Sequence, residues 1–310
     1  MPRITLISTN QFVKISIIRG FYFIRNLYKL HTMKKLFFTF LIMSQITVSA
    51  QDLKIMSYNL RLDTASDKEN QWSNRKEYLT DQVKFYDPDF MGVQEALPNQ
   101  MQYLDDALTS HKFIGKGRDD GQSKGEHSAI FYNSDKFKLL QENTFWLSET
   151  PSTPSKAWDA AYPRVCTYGL FQNKTTKKKI WIFNTHFDHV GDIARAESSK
   201  LILAKIKEIN KENLPVILTG DFNLESETLP LKLIKEELDD AQKVCTGIVF
   251  GPEGTFNNFE FNKPVKMRID YIFINRNKME VTKFATLSDS KDCRFPSDHF
   301  PVYAEINFKK

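Results

Sequence analysis

The feature that most limits what this chain can fold into is a series of polar clusters that follow short apolar runs. Such apolar runs predict β-strands, and the polar clusters come where those strands end. In chain order the clusters are Ser57-Tyr58-Asn59-Leu60, Gln94-Glu95, Asn184-Thr185-His186-Phe187-Asp188-His189, Gly220-Asp221-Phe222-Asn223, Arg268-Ile269-Asp270-Tyr271 and Ser297-Asp298-His299-Phe300. Because a rigid scaffold presents chemistry at strand ends and in the following loops, the pattern predicts one site of carboxylates, amides and histidines.

Strand and helix patterns alternate irregularly after the first 50 residues. Strands are predicted at 53–60, 89–95, 112–115, 142–148, 165–173, 180–185, 214–219, 269–275 and 302–308. Helices are predicted at 74–86, 99–108 and 227–237, and another begins near Asp192, a plausible N-cap. Residues 127–132 and 137–140 suggest a hairpin. Strict strand–helix–strand alternation is absent, so two packed sheets with helices outside fit best.

The N-terminal segment has the pattern of an export signal. Met33-Lys34-Lys35 is a basic start, residues 36–48 are apolar, and Val48-Ser49-Ala50 offers small residues for cleavage. We therefore predict a leader at 1–50, with the signal peptide at 33–50 cleaved near Ala50, and a secreted or periplasmic product. Either Met33 is the true start, so that the start at residue 1 is misplaced, or residues 1–32 extend the signal; the misplaced start is favoured, because Met33 begins a complete signal by itself. A membrane anchor is the alternative, although the apolar stretch is short for a spanning helix.

The net charge of +5 belongs to the leader rather than to the folded part. Residues 1–50 carry seven basic side chains and no acidic one, which leaves 36 basic against 38 acidic side chains in the rest. Since affinity for duplex nucleic acid is built largely from Lys and Arg at phosphates, nucleic acid is a possible but not a favoured partner.

Nothing divides residues 52–310, which we predict to form one domain. Three cysteines lie in it, at Cys166, Cys245 and Cys293, far apart and without metal-binding spacing. An odd, small number does not indicate a disulfide scaffold. One bridge stays possible, but we expect all three to be small core residues.

Several of the polar side chains suit phosphate-ester chemistry with a hard cation. Glu95 and Asn59 end two strands and offer oxygen ligands of the kind that Mg²⁺ prefers. Asp221 and Asn223 point to one side of an extended segment or form an Asx turn. In either arrangement, a carboxylate beside an amide can orient a water molecule for attack on phosphorus.

The histidines fit phosphate contact better than zinc. The spacing of His186, Asp188 and His189 does not match a helical pair of zinc ligands, and no further ligand is placed nearby. An Asp–His pair would make His299 a general acid or a phosphate donor, but the residues alone leave open which Asp is its partner. A Gly-x-Ser-x-Gly elbow, a P-loop and a dinucleotide-binding fingerprint are all absent from the sequence.

The six clusters, in this order over essentially all of 52–310, closely resemble the endonuclease/exonuclease/phosphatase superfamily, which has the deoxyribonuclease-I-like fold. The resemblance implies a four-layer α/β sandwich, in which two packed mixed β-sheets are flanked by helices. It also implies a phosphodiesterase or phosphatase that depends on Mg²⁺ or Mn²⁺. Glu95 resembles the family's principal metal ligand, with Asp298 as a second metal-side carboxylate. Asn59 resembles an amide near the metal and the phosphate.

The same resemblance implies roles for the catalytic side chains. Asp221, with Asn223 beside it, resembles the residue that orients or deprotonates the attacking water, and Asp270 resembles the orienting partner of His299. His186 resembles a second active-site histidine that, like His299, contacts the phosphate. On shorter matches, Glu126 is placed to support His186, and Arg164 matches a phosphate-binding arginine of some members. Other segments resemble exported bacterial members of unsettled substrate.

The predicted function is a metal-dependent phosphoesterase, most simply a phosphodiesterase, in which water attacks a phosphate ester in line. A small-molecule or glycan phosphate is favoured as substrate, and no protein partner is predicted. The alternatives are a secreted nuclease, a sphingomyelinase-like phospholipid hydrolase and a catalytically silent binding module. The lipid hydrolase would need an exposed apolar segment, and residues 255–261 carry three phenylalanines that either meet a membrane or line the pocket or core.

Overall fold

A computed structural model describes residues 53–309, together with Arg25 and Lys29. The chain divides into two units, residues 1–51 and 52–310. The predicted leader and signal peptide fall in the first unit and lie outside the described residues, apart from Arg25 and Lys29, which are helical and exposed. The strands of residues 53–309 all belong to the second unit.

Thirteen strands form two mixed sheets within residues 53–309. The strands are β1 (Leu53–Asn59), β2 (Phe90–Gln94), β3 (His111–Ile114), β4 (Ile130–Asn133), β5 (Phe137–Trp146), β6 (Val165–Asn173), β7 (Lys179–His186), β8 (Val216–Asp221), β9 (Asp239–Asp240), β10 (Ile248–Phe250), β11 (Asp270–Ile274), β12 (Met279–Thr286) and β13 (Val302–Phe308). The first sheet has the order β10-β12-β13-β1-β2-β4-β3, and the second has the order β5-β6-β7-β8-β11-β9. Parallel pairs occur in both sheets, at β1–β2 and β10–β12 in the first and at β7–β8 in the second.

Helices cover the outer faces of both sheets. They are α1 (Trp72–Tyr86), α2 (Pro98–Ala107), α3 (Asp192–Ile209) and α4 (Leu229–Glu237), and a 3-10 segment (Ala65–Asn70) precedes α1. One apolar cluster lies between the sheets, a second joins the first sheet to α1 and α2, and a third joins the second sheet to α3 and α4. These are the three interfaces of a four-layer α/β sandwich, so the predicted fold class is confirmed. Among the described residues, no helix has the length and apolar character needed to cross a bilayer.

Side chains alternate along each strand, and this alternation determines on which face of the sheet each side chain lies. In β1, Ile55 faces the other sheet, whereas Met56 and Tyr58 face the helices. In β7, Ile182 faces inward and Phe183 faces outward. Successive side chains of a strand point to opposite faces, so the inward row of each central strand runs from apolar core residues to polar residues at one end.

A hydrogen-bonded polar layer joins the two sheets just below that end. The Nδ2 atom of Asn184, on β7, donates to the carbonyl oxygens of Val93 (2.8 Å) and Ala129 (2.9 Å). Its Oδ1 atom accepts from Gln94 Nε2 (2.7 Å) and Thr219 Oγ1 (3.0 Å). Asn184, Gln94 and Thr219 are buried. The Asn184 side chain therefore makes four hydrogen bonds, including three to the first-sheet segments around Val93 and Ala129.

The missing side chain of Gly92 makes room for this layer. A Cβ atom at Gly92 would lie 2.3 Å from Thr219 Oγ1 and 2.5 Å from Asn184 Oδ1. Those distances are too short for unbonded atoms, and the two side chains are locked by their own hydrogen bonds. The close approach of β2 to the second sheet therefore depends on glycine at this position.

The predicted hairpin of 127–132 and 137–140 is wrong, because the two strands belong to different sheets. β4 pairs with β2 and β3 in the first sheet, and β5 pairs with β6 in the second. The short segment between them crosses from one sheet to the other. β5 is also longer than predicted. It continues through a bulge between Leu139 and Gln141 and includes residues 142–146 of the separate strand predicted at 142–148. Strand β12 was not predicted, although its residues alternate.

The start of α3 is capped differently from the prediction. Gly191, not Asp192, occupies the N-cap position. The carboxylate of Asp159, from the preceding loop, accepts from the backbone amides of Ile193 (3.2 Å) and Ala194 (2.8 Å). The side chain of Asp192 instead pairs with Arg195. A cap supplied from a distant loop satisfies the same free amides that a local cap would.

The three described cysteines are all unpaired, and only one is a core residue. Cys166 is buried, Cys245 is half-buried and Cys293 is exposed. The expectation that all three are core residues is therefore right for Cys166 and wrong for Cys293.

Replacing Asn184 tests the polar layer. We expect Asn184→Leu to lower the free energy of unfolding by about 2–5 kcal/mol, because it removes four hydrogen bonds and leaves buried polar partners unsatisfied. Urea denaturation gives the measurement, and Asn262→Leu at an exposed position is the control. An Asn184→Leu protein as stable as the control would show that the layer does not join the sheets energetically.

Candidate active site

The ends of four strands, one from the first sheet and three from the second, carry predicted site residues. β1 ends at Asn59, β7 at His186 and β8 at Asp221, while β11 begins at Asp270. In the strand register, His186 lies opposite Asp221, and Asp221 lies opposite Asp270. These side chains continue the inward rows of their strands above the polar layer, so the fold itself brings them together.

One open cleft of about 720 Å³ gathers most of the predicted side chains. The predicted residues that line it are Glu95, Glu126, Arg164, His186, Asp221, Asn223, Asp298 and His299. Asn59 and Asp270 are fully buried and contact cleft residues through hydrogen bonds. The cleft is also lined by residues that were not predicted as part of the site, among them Arg61, Arg118, Tyr162, His189, Phe256 and Phe259.

Asn59 links the carboxylates of the two sheets. Its Nδ2 atom donates to Glu95 Oε1 (3.0 Å) and to Asp221 Oδ2 (2.9 Å), and its Oδ1 atom accepts from the backbone amide of Arg61 (2.9 Å). Glu95 directly follows β2 and has a φ of 61°, in the left-handed region. A non-glycine residue held there costs on the order of 1–3 kcal/mol, and such strain is common at functional sites.

His299 is paired with Asp270. The two are joined by a 2.9 Å contact between His299 Nδ1 and Asp270 Oδ2, and His299 Nε2 lies 3.8 Å from Asp221 Oδ2. Burial alone would lower the pKa of His299, but the carboxylates of Asp270 and Asp221 raise it well above its ordinary value. His299 is thus held as an imidazolium with Nε2 directed toward Asp221. The partner that the residues alone left open is Asp270.

Asp221 is poised between a charged and a neutral form. Burial, and then the neighbouring carboxylate of Asp270, raise its pKa, while His299 and hydrogen bonds from Asn223 and Asn59 partly oppose the shift. The backbone amide of Asn223 donates to Asp221 Oδ1 (2.9 Å). This is the Asx turn considered from the sequence, and it places the Asn223 amide beside the carboxylate.

His186 is held neutral beside Asn223. Burial first, and then the charges of Arg164 and Arg118, lower the pKa of His186 well below its ordinary value. Its Nε2 atom lies 3.0 Å from Asn223 Nδ2 and 3.5 Å from Asp221 Oδ2. If Asn223 donates to Nε2, the ring proton is on Nδ1, which is buried and has no partner among the described residues. His186 therefore has one ring nitrogen left for a ligand.

Glu126 lies near His186 but does not bond to it. Its carboxylate receives two hydrogen bonds from Arg118, at 2.8 and 2.6 Å, and its Oε2 atom lies 3.9 Å from His186 Nδ1. The supporting role of Glu126 therefore stays a prediction. Arg164, the predicted phosphate-binding arginine, is buried and donates through Nε to Asp188 (3.2 Å), while its Nη1 atom has no partner among the described residues.

Asp298 lines the same cleft as Glu95 and is close enough to be affected by its charge. Burial raises the pKa of Asp298, and the nearby Glu95 raises it further, although His299 and Arg61 oppose the shift. Arg61 Nε lies 3.7 Å from Asp298 Oδ2, but the Arg61 guanidinium is already bonded to Asp67 through two contacts of 2.9 Å. Arg61 therefore only partly neutralises the charge of the Asp298 and Glu95 carboxylates.

The donors fit a hard divalent cation. Ligand atoms of Glu95, His186 and Asp221 lie within 4.8 Å of one another, as do those of Asp221, Asp270 and His299. Asp298 belongs to neither group. Carboxylates that are buried together raise one another's pKa, and a bound cation removes that cost. Glu95 and Asp221, the two carboxylates of the first group, open onto the cleft, and their oxygens are the better fit to the oxygen-rich coordination of Mg²⁺ or Mn²⁺.

Several positioning and lining residues were not found by sequence reasoning. Arg75 is buried and donates to the carbonyl oxygens of Leu60 (2.5 Å), Arg61 (2.7 Å) and Pro296 (3.0 Å). It thereby ties the end of β1 to the segment that carries Asp298. In the sequence Arg75 lies in an unremarkable helical pattern, and the only available signal was its position just after the first polar cluster.

Comparison with known proteins points to one family. The family model described as the endonuclease/exonuclease/phosphatase family matches residues 56–299. A protein of Acanthamoeba polyphaga mimivirus, uncharacterised by name, is 31% identical over 170 residues, and the match covers 51% of this chain. The chain spans 61% of that relative's length.

Two solved bacterial structures are similar over most of the chain. An endonuclease/exonuclease/phosphatase family protein of Bacteroides thetaiotaomicron has a TM-score of 0.80 and 40% identity, covering 84% of this chain and 98% of that one. A mannosyl-6-phosphatase of the same organism has a TM-score of 0.79 and 41% identity, covering 83% of this chain and 100% of that one.

The charge state of His299 can be tested by removing its partner. In metal-free Asp270→Asn protein we expect the pKa of His299 to fall, because the carboxylate that raises it most is gone. The measurement is an NMR titration of the histidine ring protons in wild-type and variant protein. The resonance of His127, whose pKa is lowered by burial, should not move. An unchanged His299 titration would mean that Asp270 does not control the imidazolium.

Proposed function

This chain belongs to the endonuclease/exonuclease/phosphatase family, and on that premise we propose that it hydrolyses the phosphate ester of a phosphorylated sugar with a divalent cation. The observation that carries the proposal is the meeting of Glu95, Asp221 and His299 in one cleft. A basic carboxylate, an imidazolium and a cation site within a few ångströms are the groups that in-line attack of water on phosphorus requires.

Asp221 is the group proposed to act on the attacking water. Its raised pKa makes it a stronger base than an ordinary carboxylate, and a base works best when its pKa lies near the working pH. Asn223 and Asn59 hold the two oxygens of Asp221 through hydrogen bonds of 2.9 Å. This fixes the direction in which the remaining lone pairs can accept a proton from water.

His299 and His186 are proposed to act on the phosphoryl and leaving oxygens. His299, charged and oriented by Asp270, can donate its Nε2 proton to an oxygen that gains negative charge. His186, neutral, can donate from Nδ1, and the unpartnered Nη1 of Arg164 can join it. Glu95, beside Asp221, would hold a cation whose charge would offset that developing on the phosphoryl oxygens. The metal-side roles predicted for Asp298 and Asn59 are part of this proposal.

A sugar phosphate is the proposed substrate because of the size of the cleft and the name of a similar protein. A volume of about 720 Å³ lies within the roughly 300–1,000 Å³ of small-molecule sites. The 41% identical neighbour is a mannosyl-6-phosphatase by name. The imidazolium, the free guanidinium nitrogen and a cation suit the dianion of a terminal phosphate. The phosphodiester predicted from the sequence remains the second substrate to test.

The other predicted alternatives have weaker support. A nuclease would need a basic groove, and 36 basic against 38 acidic side chains after residue 50 argue against one. A lipid hydrolase would need an exposed apolar segment, and in the segment considered from the sequence Phe256 and Phe259 are half-buried and line the cleft. Phe261 packs against Phe295 with ring centroids 5.1 Å apart. A silent binding module would tolerate lost acid and imidazole groups, whereas here these positions are filled.

Export is proposed as well. Its support is the basic, apolar and small-residue pattern of residues 33–50. A phosphatase outside the cytoplasm would act on sugar phosphates released from larger molecules there.

Turnover is tested with mannose 6-phosphate, bis-p-nitrophenyl phosphate and plasmid DNA. We expect Mg²⁺-dependent release of phosphate from the sugar and its loss on chelation. Asp221→Asn and His299→Ala should each lower kcat/KM by at least about 10³, since each removes a proton-transfer group. Asp81→Asn, at an exposed helical position, is the control. Wild-type turnover in Asp221→Asn would refute the mechanism, and no metal-dependent turnover of any ester would favour the binding module.

The leader is tested by expressing the full chain in a bacterium that exports proteins and sequencing the N-terminus of the product. We expect the mature protein to begin at Gln51, because cleavage follows small residues. Replacing Ala50 with a large residue should block that cleavage. A cell-associated product that keeps Met33 would contradict export with processing.

A further inference from the structure

One wall of the cleft is not used by the chemistry proposed above. It is formed by Arg118, Tyr162 and His189, and is called the Tyr162 wall below. All three line the cleft together with His186. Arg118 connects the wall to the reacting end, because it is bonded to Glu126, whose carboxylate lies 3.9 Å from His186.

The Tyr162 ring is partly exposed and is held beside the other two side chains of the wall. The Tyr162 and His189 rings are stacked, with centroids 6.0 Å apart and planes 18° from parallel. The Arg118 guanidinium carbon lies 5.2 Å from the centroid of the Tyr162 ring. Tyr162 is 52% exposed although its neighbours Arg118 and Arg164 are buried. Because a tyrosine combines an apolar ring with a polar tip, a partly exposed Tyr162 at the side of a cleft is suited to contact a ligand.

Asp188 makes the wall rigid. Its buried carboxylate accepts from the backbone amides of Ala161 (3.0 Å) and Tyr162 (3.3 Å), and from those of Val190 (3.0 Å) and Gly191 (2.9 Å). It therefore fixes the chain on both sides of the stacked rings. Burial opposes ionisation, but the amides hold the pKa of Asp188 well below its ordinary value. A preorganised wall loses little conformational entropy when a ligand binds.

The charges of the wall are balanced, which limits the ligand class. Arg118 is paired with Glu126 and Arg164 with Asp188, so the wall has no excess of positive charge for a second phosphate. It still offers a hydrogen-bond donor, because Arg118 Nε has no hydrogen-bond partner among the described residues, although Asp119 Oδ1 lies 3.9 Å from it. Paired guanidinium and carboxylate groups supply donors and acceptors side by side, as buried hydroxyl groups require.

From these contacts we propose that the Tyr162 wall is the subsite for the leaving group, and that it binds an uncharged, polyhydroxylated ring such as a hexopyranose. The sugar ring packs against the exposed part of Tyr162, and its hydroxyl groups lie toward Arg118 and His189. This rests on the proposed function, since it assumes that the phosphate lies at His186 and His299. The Tyr162 wall then determines which phosphate esters bind and are hydrolysed, whereas Asp221, His299 and His186 act on the phosphate.

The proposal is tested by binding, which does not depend on turnover. The ligands are mannose 6-phosphate, glycerol 3-phosphate, which lacks a ring, and adenosine 5′-monophosphate, each titrated by calorimetry into Asp221→Asn protein with Mg²⁺. Mannose 6-phosphate should bind about threefold to tenfold more tightly than glycerol 3-phosphate, the range expected for one aromatic stacking contact. Adding Tyr162→Ala should abolish that preference and leave glycerol 3-phosphate unchanged, whereas Tyr162→Phe should keep it.

The matched control is Phe85→Ala, which removes an aromatic ring that is 82% exposed and is not among the residues lining the cleft. Equal binding of the ring and non-ring ligands to Asp221→Asn protein would overturn the proposal. So would a Tyr162→Ala effect equal on all three ligands, or a Tyr162-dependent preference for the nucleotide. These outcomes are separate from failure of the proposed function, which is absence of sugar-phosphate turnover by the wild-type enzyme.

Discussion

The site depends on the hydrogen-bonded layer around Asn184 that holds the two sheets at a fixed separation. Asn184 reaches from β7 to the carbonyl oxygens of Val93 and Ala129, and Gly92 leaves the space that this approach needs. Glu95 follows Val93 by two residues, and His186 follows Asn184 by two. Their relative position is therefore set by buried hydrogen bonds, which are costly to leave unmade, and not by the loops of the cleft.

Above that layer the protein gathers more negative charge than its own cations neutralise. Asp221 and Asp298 have raised pKa values because they are buried near other carboxylates, and Glu95 is held in the left-handed region of φ. Each feature opposes folding, and each suits a site that takes a cation and a phosphate. Stability is commonly sacrificed in this way at functional sites. The surrounding apolar clusters and the Arg75 contacts to three carbonyl oxygens oppose that loss.

Sequence patterns predicted the bounds of several strands well. They predicted poorly which segments pair with or cap one another. β6 and β13 begin and end where the sequence pattern placed them, and both strands are buried over most of their length. The hairpin at 127–140 was misassigned because a short turn between two strands is also what a crossover between sheets can look like. The cap of α3 was misassigned because Asp159, 33 residues before Asp192, supplies the carboxylate. Such partners carry no local signal.

The sequence by itself determined which residues stand at the ends of strands, and hence the acids, amides and imidazoles available for chemistry. Strand periodicity is a local property, and it can be recognised in one segment without knowing its partner strand. Only the tertiary structure decided that Asp270 is the partner of His299, that Glu126 is bonded to Arg118, and that Tyr162 and His189 form a stacked wall. Those contacts join segments far apart in the chain, and they depend on how two sheets pack and where loops close, which no short stretch of residues encodes.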